Sequence, residues 1–356
     1  MTGFLLIEIE GEAFERGQQY GARAAEAIKR NVEAYLDLIE FHVGLERGAA
    51  LAAASAFGPI LEQHTPELLR EMRGIAAGAD CDLVEILLIN ARSELMGLSD
   101  ECTALAAAPE ITEGGSVLLG QNWDWYPAVK PEPVLLQIRL PNGPEILTLA
   151  EAGQVAKVGL NSAGLGVCLN FLNHADRGTG VPAHVILRRM LESAHLGQAI
   201  HAAYGVPRGG AANVLLAHAE GEILDLEVTA RDADFIYGDG GWLVHANHFE
   251  SARLRAGDTG LPLSMSSLAR SARARRLLSA AAAKGSVSVA TFHTILRDHA
   301  HGNYAICRHA EPAEAPLQQT ATRASLIMDL KARSLSLAPG QPCVTPYQSF
   351  VLSGPL

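Results

Sequence analysis

Cys102, Asp124 and Asn247 are the residues whose types and settings point most directly to chemistry. Cys102 stands in ECTALAAAP, where a helix-rich texture gives way to strand-like runs. A free cysteine is among the most buried residue types, so alone it reads as core. Its setting offers more. If the Glu101–Cys102 bond were cut, Cys102 would carry a thiol and an α-amine together. An α-amine titrates near about 7.7–8.0 and a thiol near about 8.5, so the amine is able to take the thiol proton with no histidine in attendance. Asp124, in GQNWDW, sits toward a strand end. A carboxylate there is placed to accept a bond from that ammonium and to adjust its pKa. Asn247, in HANHF, offers an amide N–H to an oxyanion. Asn170, at the far end of VGLNSAGLGVCLNF, is a further candidate to point into the site.

Other clusters read as structure. His245 and His248 are three apart, and strand alternation would turn them to opposite faces, a poor arrangement for one metal. The segment RDHAHGNYAICRH carries Asp298, His299, His301, Cys307 and His309. Its H-x-H and C-x-H spacings are not those of zinc knuckles and no second pair supports them, so a structural role and no metal are expected. Gly159, Gly164 and Gly166 surround an Asn-Ser turn without a following Lys-Ser/Thr, which favours a hairpin over a phosphate cradle. GxSxG, the P-loop and GxGxxG are absent, which lowers the odds of an α/β-hydrolase, an NTPase or a dinucleotide enzyme.

The elements that must position these residues fall into two textures. Residues 13–43 place Ala25, Ile28, Val32, Tyr35, Leu36 and Ile39 at three- and four-residue steps, which predicts one amphipathic helix. A second helix is expected through 48–63. Thr65 and Pro66 mark the start of a third, and Asp82 with Glu85 forms a capping box for a fourth. After Cys102, runs such as SVLLGQNWDW, PVLLQIRL, ANVLLAHA, EILDLEVTA and ASLIMDL read as strands, with helices returning at about 183–204 and 264–299. Regular βα alternation is missing. The expected class is α+β: a helical segment, 1–101, followed by a strand-dominated region, 102–356, in one composite domain.

Bulk properties agree. The chain has 356 residues, 48% hydrophobic and 19% charged, ample for a large core. A net charge of −11 argues against a nucleic-acid partner, because phosphate contacts need Lys and Arg. The start is too short in apolar residues for a signal h-region, and no run approaches the roughly 18 needed to span a bilayer. Five scattered cysteines with no CxxC fit a reducing cytoplasm.

Taken in order, GEAFERGQQYG, NARSELM, DECTA, GQNWDW, GLNSAGLGVCLN, HANHF, DHAHGNYAICRH, ASLIMDL and PGQPC resemble peptidase family C45. These are the acyl-coenzyme A:6-aminopenicillanic acid acyltransferase-like proteins of the N-terminal nucleophile (Ntn) hydrolase superfamily. The resemblance covers nearly the whole chain. It implies a four-layer αββα sandwich and self-cleavage between Glu101 and Cys102, with the small chain remaining bound to the large one. It also implies a cofactor-free cysteine amidohydrolase or acyltransferase acting through a Cys102 thioester on a small-molecule amide or acyl thioester. Carried over residue by residue, Cys102 is the nucleophile, Asp124 the orienting carboxylate and Asn247 the oxyanion donor, with Asn170 a weaker match. Two departures stand out. The fungal acyltransferase has Gly where Glu101 stands, and a side chain there is expected to slow the N-to-S acyl shift. The family's arginine before the segment matching ASLIMDL has no clear counterpart, with Gln319, Arg308 and Arg323 nearest. Two rivals stay open: an uncut Cys-His thiol hydrolase with His245, His248 or His309 as base, and an unprocessed, non-catalytic member that binds a small acyl ligand.

Overall fold

The computed structural model describes residues 4–97, 101–129 and 133–352. The helical front is present, preceded by a strand that the sequence reading did not anticipate. β1 (Leu5–Glu10) adds in parallel to the edge of a sheet through β4 (Pro133–Arg139). The long α1 (Ala13–Val43) follows, with Ile28, Val32, Tyr35, Leu36 and Ile39 buried as their spacing requires. The second expected helix is two, α2 (Arg47–Ser55) and α3 (Phe57–His64), then come α4 (Pro66–Ala79), α5 (Leu83–Asn90) and α6 (Arg92–Met96). Asp82 and Glu85 form their capping box. Thr65 does not cap α4: its hydroxyl turns back to the Leu61 carbonyl at 3.3 Å, and Pro66 alone marks the start.

The motif GEAFERGQQYG gains its meaning from α1 packing on α4. A Cβ at Gly17 would come within 1.9 Å of the Glu71 carbonyl oxygen, and one at Gly74 within 2.2 Å of that of Phe14. Glycine at these positions lets the two helix backbones touch. The contact is locked by Glu71, which receives Arg16 at 2.8 Å and, from α7 (Ala183–Leu191), Arg188 at 2.8 and 2.9 Å. Burial would push the Glu71 carboxyl up, but the two guanidiniums outweigh it and hold it below the ordinary value.

Two sheets form the centre. The six-stranded sheet runs β11 (Trp242–His245), β2 (Glu101–Ala107), β3 (Leu118–Trp125), β12 (Ala321–Asp329), β13 (Ser334–Ala338), β14 (Gln348–Val351), and all its pairings are antiparallel. The eight-stranded sheet runs β1, β4, β5 (Ile146–Glu151), β6 (Val158–Asn161), β7 (Leu165–Leu172), β8 (Ala211–His218), β9 (Ile223–Val228), β10 (Ala233–Tyr237), antiparallel except for β1 with β4. β6 and β7 are the expected hairpin, turned at Gly164 with φ +95°. Every residue of β3, β5, β7, β8 and β9 is buried, as happens only when both faces of a sheet are covered.

The covers are helical. α7, α8 (Leu196–Tyr204) and the N-terminal helices flank the larger sheet, while α9 (Ser266–Ala282) and α10 (Val289–Leu296) lie on the smaller one. The layering is the four-layer αββα sandwich of the Ntn hydrolases. Among the described residues no helix is long and apolar enough to cross a membrane.

Candidate active site

Cys102 is the second residue of β2, and strand alternation decides what each neighbour faces. Cys102, Ala104 and Ala106 turn inward, into the core shared by the two sheets, while Leu105 and Ala107 join the core under α9 and α10. The thiol therefore lies between the sheets, buried to 1% exposure, and burial pushes the neighbouring Cys168 thiol well above its ordinary value. Glu101 and Thr103 face the helices.

Asp124 stands directly opposite Glu101 in the β2–β3 register, so it shares the face of Glu101 and not that of the thiol. It accepts a hydrogen bond from the Thr322 hydroxyl on β12 at 2.6 Å. Two facing carboxylates repel. Arginines enclose this pair. Arg308 makes an ion pair with Glu101, Arg270 lies 3.7 Å from the same carboxylate, and the Ser266 hydroxyl donates to it at 3.1 Å.

Asn247 follows β11, which pairs with β2, and so reaches the Cys102 backbone from the neighbouring strand. Its Oδ1 accepts the Cys102 backbone N–H at 2.7 Å, and its Nδ2 donates to the Phe171 carbonyl at 3.1 Å. Asn170 sits one residue before Phe171 and donates to the His245 carbonyl at 3.3 Å, so it secures the strand end that carries Asn247.

Arg270 is the residue that sequence reasoning missed. It is fully buried on α9, donating to the Cys102 carbonyl at 2.6 Å, the Thr103 hydroxyl at 2.9 Å and Asn247 Oδ1 at 3.0 Å. Burial pulls its guanidinium below the ordinary value, opposed by the nearby Asp124 and Cys102. A signal was present: Ser267, Arg270, Ser271, Ala274 and Leu278 make the buried stripe of α9, and Arg270 holds a core position in it. Of the residues near the expected arginine, Arg308 is the one that touches Glu101.

The histidines are engaged elsewhere. His245 has Nε2 at 2.8 Å from Glu227 and Nδ1 at 2.8 Å from the Ala246 carbonyl. Burial alone would lower its pKa, but Glu227 and Asp225 hold it up at about 9. His248 lies beyond the end of β11, so alternation does not separate it from His245. The two rings stack at 6.4 Å, and His248 Nδ1 meets Ser267 Oγ at 2.7 Å. His309 lies against His299 and Cys343. The sequence offers no second pair for this region, and the fold brings Cys343 from a distant turn beside His299, Cys307 and His309.

Outside the strand end, Glu101 and Arg308 line a cleft of about 660 Å³ whose walls include Tyr126, Leu263, Met265 and Tyr304. A buried thiol near a strand head, a cluster of hydrogen bonds around its backbone and an open cleft beyond it make up the candidate site. Residues 111–343 match the family model described as acyl-coenzyme A:6-aminopenicillanic acid acyl-transferase. The chain is 32% identical over 253 residues to the 40 kDa form of acyl-coenzyme A:6-aminopenicillanic-acid-acyltransferase from Emericella nidulans, covering 68% of this chain and 69% of that one. It therefore belongs to the acyl-coenzyme A:6-aminopenicillanic acid acyl-transferase family and is an enzyme. More distant solved structures include a mutant conjugated bile acid hydrolase from Clostridium perfringens, with TM-score 0.47, 14% identity and coverage of 70% of this chain and 97% of that one. Another is penicillin V acylase from Agrobacterium tumefaciens, with TM-score 0.44, 13% identity and coverage of 69% and 84%.

Proposed function

We propose that the chain is the precursor of a cysteine amidohydrolase or acyltransferase that cuts itself between Glu101 and Cys102. The observation that carries this is the grip on that bond. Asn247 holds its nitrogen side, Arg270 the next carbonyl, and Arg308 the Glu101 side chain. In maturation the Cys102 thiol attacks the Glu101 carbonyl carbon, the peptide C–N bond breaks, and the nitrogen takes up the thiol proton. Water then hydrolyses the resulting thioester, leaving a Glu101 carboxylate and a Cys102 amine. The register bears on the product. The cut creates an α-ammonium on β2 one residue from the position opposite Asp124, a cation the uncut peptide lacks and one that Asp124 is suited to hold.

In turnover the freed amine accepts the thiol proton and the thiolate attacks the substrate's acyl carbon. Asn247 donates to the oxyanion, and the ammonium returns the proton to the leaving amine or thiol. Water resolves the thioester, or a second amine does so in transfer. Hydrolysis is the safer outcome because water is always present, whereas transfer needs a pocket that excludes it. Asn170 acts as a positioning residue through the His245 carbonyl. The cleft size suits a small-molecule amide or acyl thioester, given that ligand pockets run about 300–1,000 Å³. The small chain stays attached, because β1 pairs with β4 and Tyr20 and Asn31 bond to the turn after β5. The scattered cysteines support a reducing cytoplasm.

The histidine partners weigh against the uncut Cys-His reading, since both ring nitrogens of His245 are occupied away from the thiol. Intact-protein mass spectrometry of wild type beside Cys102→Ala tests the proposal. Wild type should split before Cys102 and the variant should stay whole. A wild type that remains uncut while turning over amides or thioesters would sink it.

A further inference from the structure

We propose that His299, Cys307, His309 and Cys343 form a tetrahedral zinc-type metal site that staples one wall of the cleft. The four side chains offer one ligand atom each, and these atoms all lie within 4.8 Å of one another. The individual edges match a metal tetrahedron. His299 Nε2 is 3.2 Å from His309 Nε2, Cys343 Sγ is 3.3 Å from His309 Nε2, and Cys307 Sγ is 3.9 Å from it. Zn–N bonds of about 2.0–2.1 Å and Zn–S bonds of about 2.3 Å give tetrahedral N···N and N···S edges of about 3.3 and 3.6 Å. Two thiolates with two imidazoles are a zinc donor set, because soft sulfur and tetrahedral geometry exclude magnesium and calcium.

The ligands come from two separate loops, three of them from the long segment between α10 and β12. His299 follows α10, Cys307 and His309 precede β12, and Cys343 lies in the turn between β13 and β14. The loops are drawn together independently of any metal. Arg297 donates to the Pro342 carbonyl at 2.8 Å, and the Cys307 N–H donates to the Asp298 carbonyl at 3.0 Å. Residues 297–320 contain one 3₁₀ turn and no strand, well beyond the roughly 12–15 residues that an unstructured loop usually reaches without a functional reason. That loop also carries Tyr304 and Arg308 into the cleft. Arg308 sits between two ligands, and its backbone N–H is tied to the Thr322 hydroxyl at 2.9 Å. A metal there would hold the cleft wall and the Arg308 contact to Glu101 by one anchor. The site stands whether or not the chain is an autoproteolytic enzyme, because it rests on ligand geometry alone.

The test uses the full chain, purified under reducing conditions without chelator. Elemental analysis should find about one zinc per chain, and Cys343→Ser or His299→Asn should lower zinc retention on the order of tenfold or more. Protein stripped by chelator and titrated with Co²⁺ should show thiolate-to-cobalt charge transfer and the intense visible bands of tetrahedral cobalt, with both signals lost in Cys343→Ser. Chelation should lower the melting temperature of wild type and leave Cys343→Ser unmoved. His299 is exposed, so His299→Asn separates ligand loss from misfolding. Wild-type zinc content in both variants would overturn the proposal. So would a reduced wild type that takes up neither zinc nor cobalt, or one in which Cys307 and Cys343 are found only as a disulfide.

Discussion

Two sets of buried arginines divide this molecule. Arg16 and Arg188 both meet Glu71, a carboxylate in the middle of a helix, and Arg188 adds Glu192 at 3.0 Å. Arg270 and Arg308 meet the Cys102 carbonyl, Asn247 Oδ1 and the Glu101 carboxylate. The first set ties helices to one another. The second holds groups on either side of the Glu101–Cys102 peptide bond. A buried charge whose partner lies on another helix joins helices together, whereas one that flanks the bond proposed to be cut is placed to prepare chemistry. Glu101 is the difference: under the proposed cleavage its backbone link would be lost and its contacts with Arg308 and Arg270 would become contestable by substrate.

The contrast can be broken by experiment. The largest effect belongs to Cys102→Ala, which should abolish both cleavage and turnover, read by intact mass and by amide hydrolysis. Next, Glu71→Ala leaves Arg16 without its carboxylate. It should destabilise the fold by about 3–5 kcal/mol in urea titration while cleavage before Cys102 proceeds below the melting range. A Glu71 variant that is fully stable but uncut would erase the division between the two sets. Asn247→Ala should cost on the order of 10²–10³ in kcat with a smaller change in KM, measured on mature protein. Thr322→Val removes the hydroxyl that donates to Asp124. The same hydroxyl accepts the Arg308 N–H, and a lost hydrogen bond to a charged group costs about 1.5–3 kcal/mol of stability, so the melting temperature should fall, and cleavage or turnover should slow measurably below the melting range.

The smallest expected effect is a pH dependence away from the thiol. His245 has a folded pKa of about 9 against an ordinary 6.5, so the fold favours the imidazolium paired with Glu227. Its stabilisation is complete below about pH 6.5 and fades as pH rises through about 9. The melting temperature should fall across that window, and His245→Gln should flatten the fall. An unchanged slope in that variant would assign the pH dependence to another group.

Much of this was legible in the sequence. The stripe of α1, the capping box at Asp82, the hairpin at Gly164 and the change of texture at Cys102 are local patterns, set by propensity and periodicity. So were Cys102, Asp124, Asn247 and Asn170 as residues to watch, although their roles await the experiments above. β1 escaped because a strand that pairs in parallel with residues more than a hundred positions away leaves only a short apolar run behind. Arg270 escaped because an arginine in an Ala- and Arg-rich helix reads as solvated surface until the helix is docked.

The sequence by itself determined the division into a helical front and a strand-rich remainder, the place of the thiol at the change between them, and the family. Those depend on which residues neighbour one another along the chain. Only the tertiary structure decided that Asp124 faces Glu101 rather than the thiol, that Arg270 reaches the Cys102 carbonyl, and that Cys343 joins His299, Cys307 and His309. Register, helix docking and the meeting of two loops are fixed by packing between distant segments, and no local spacing records them.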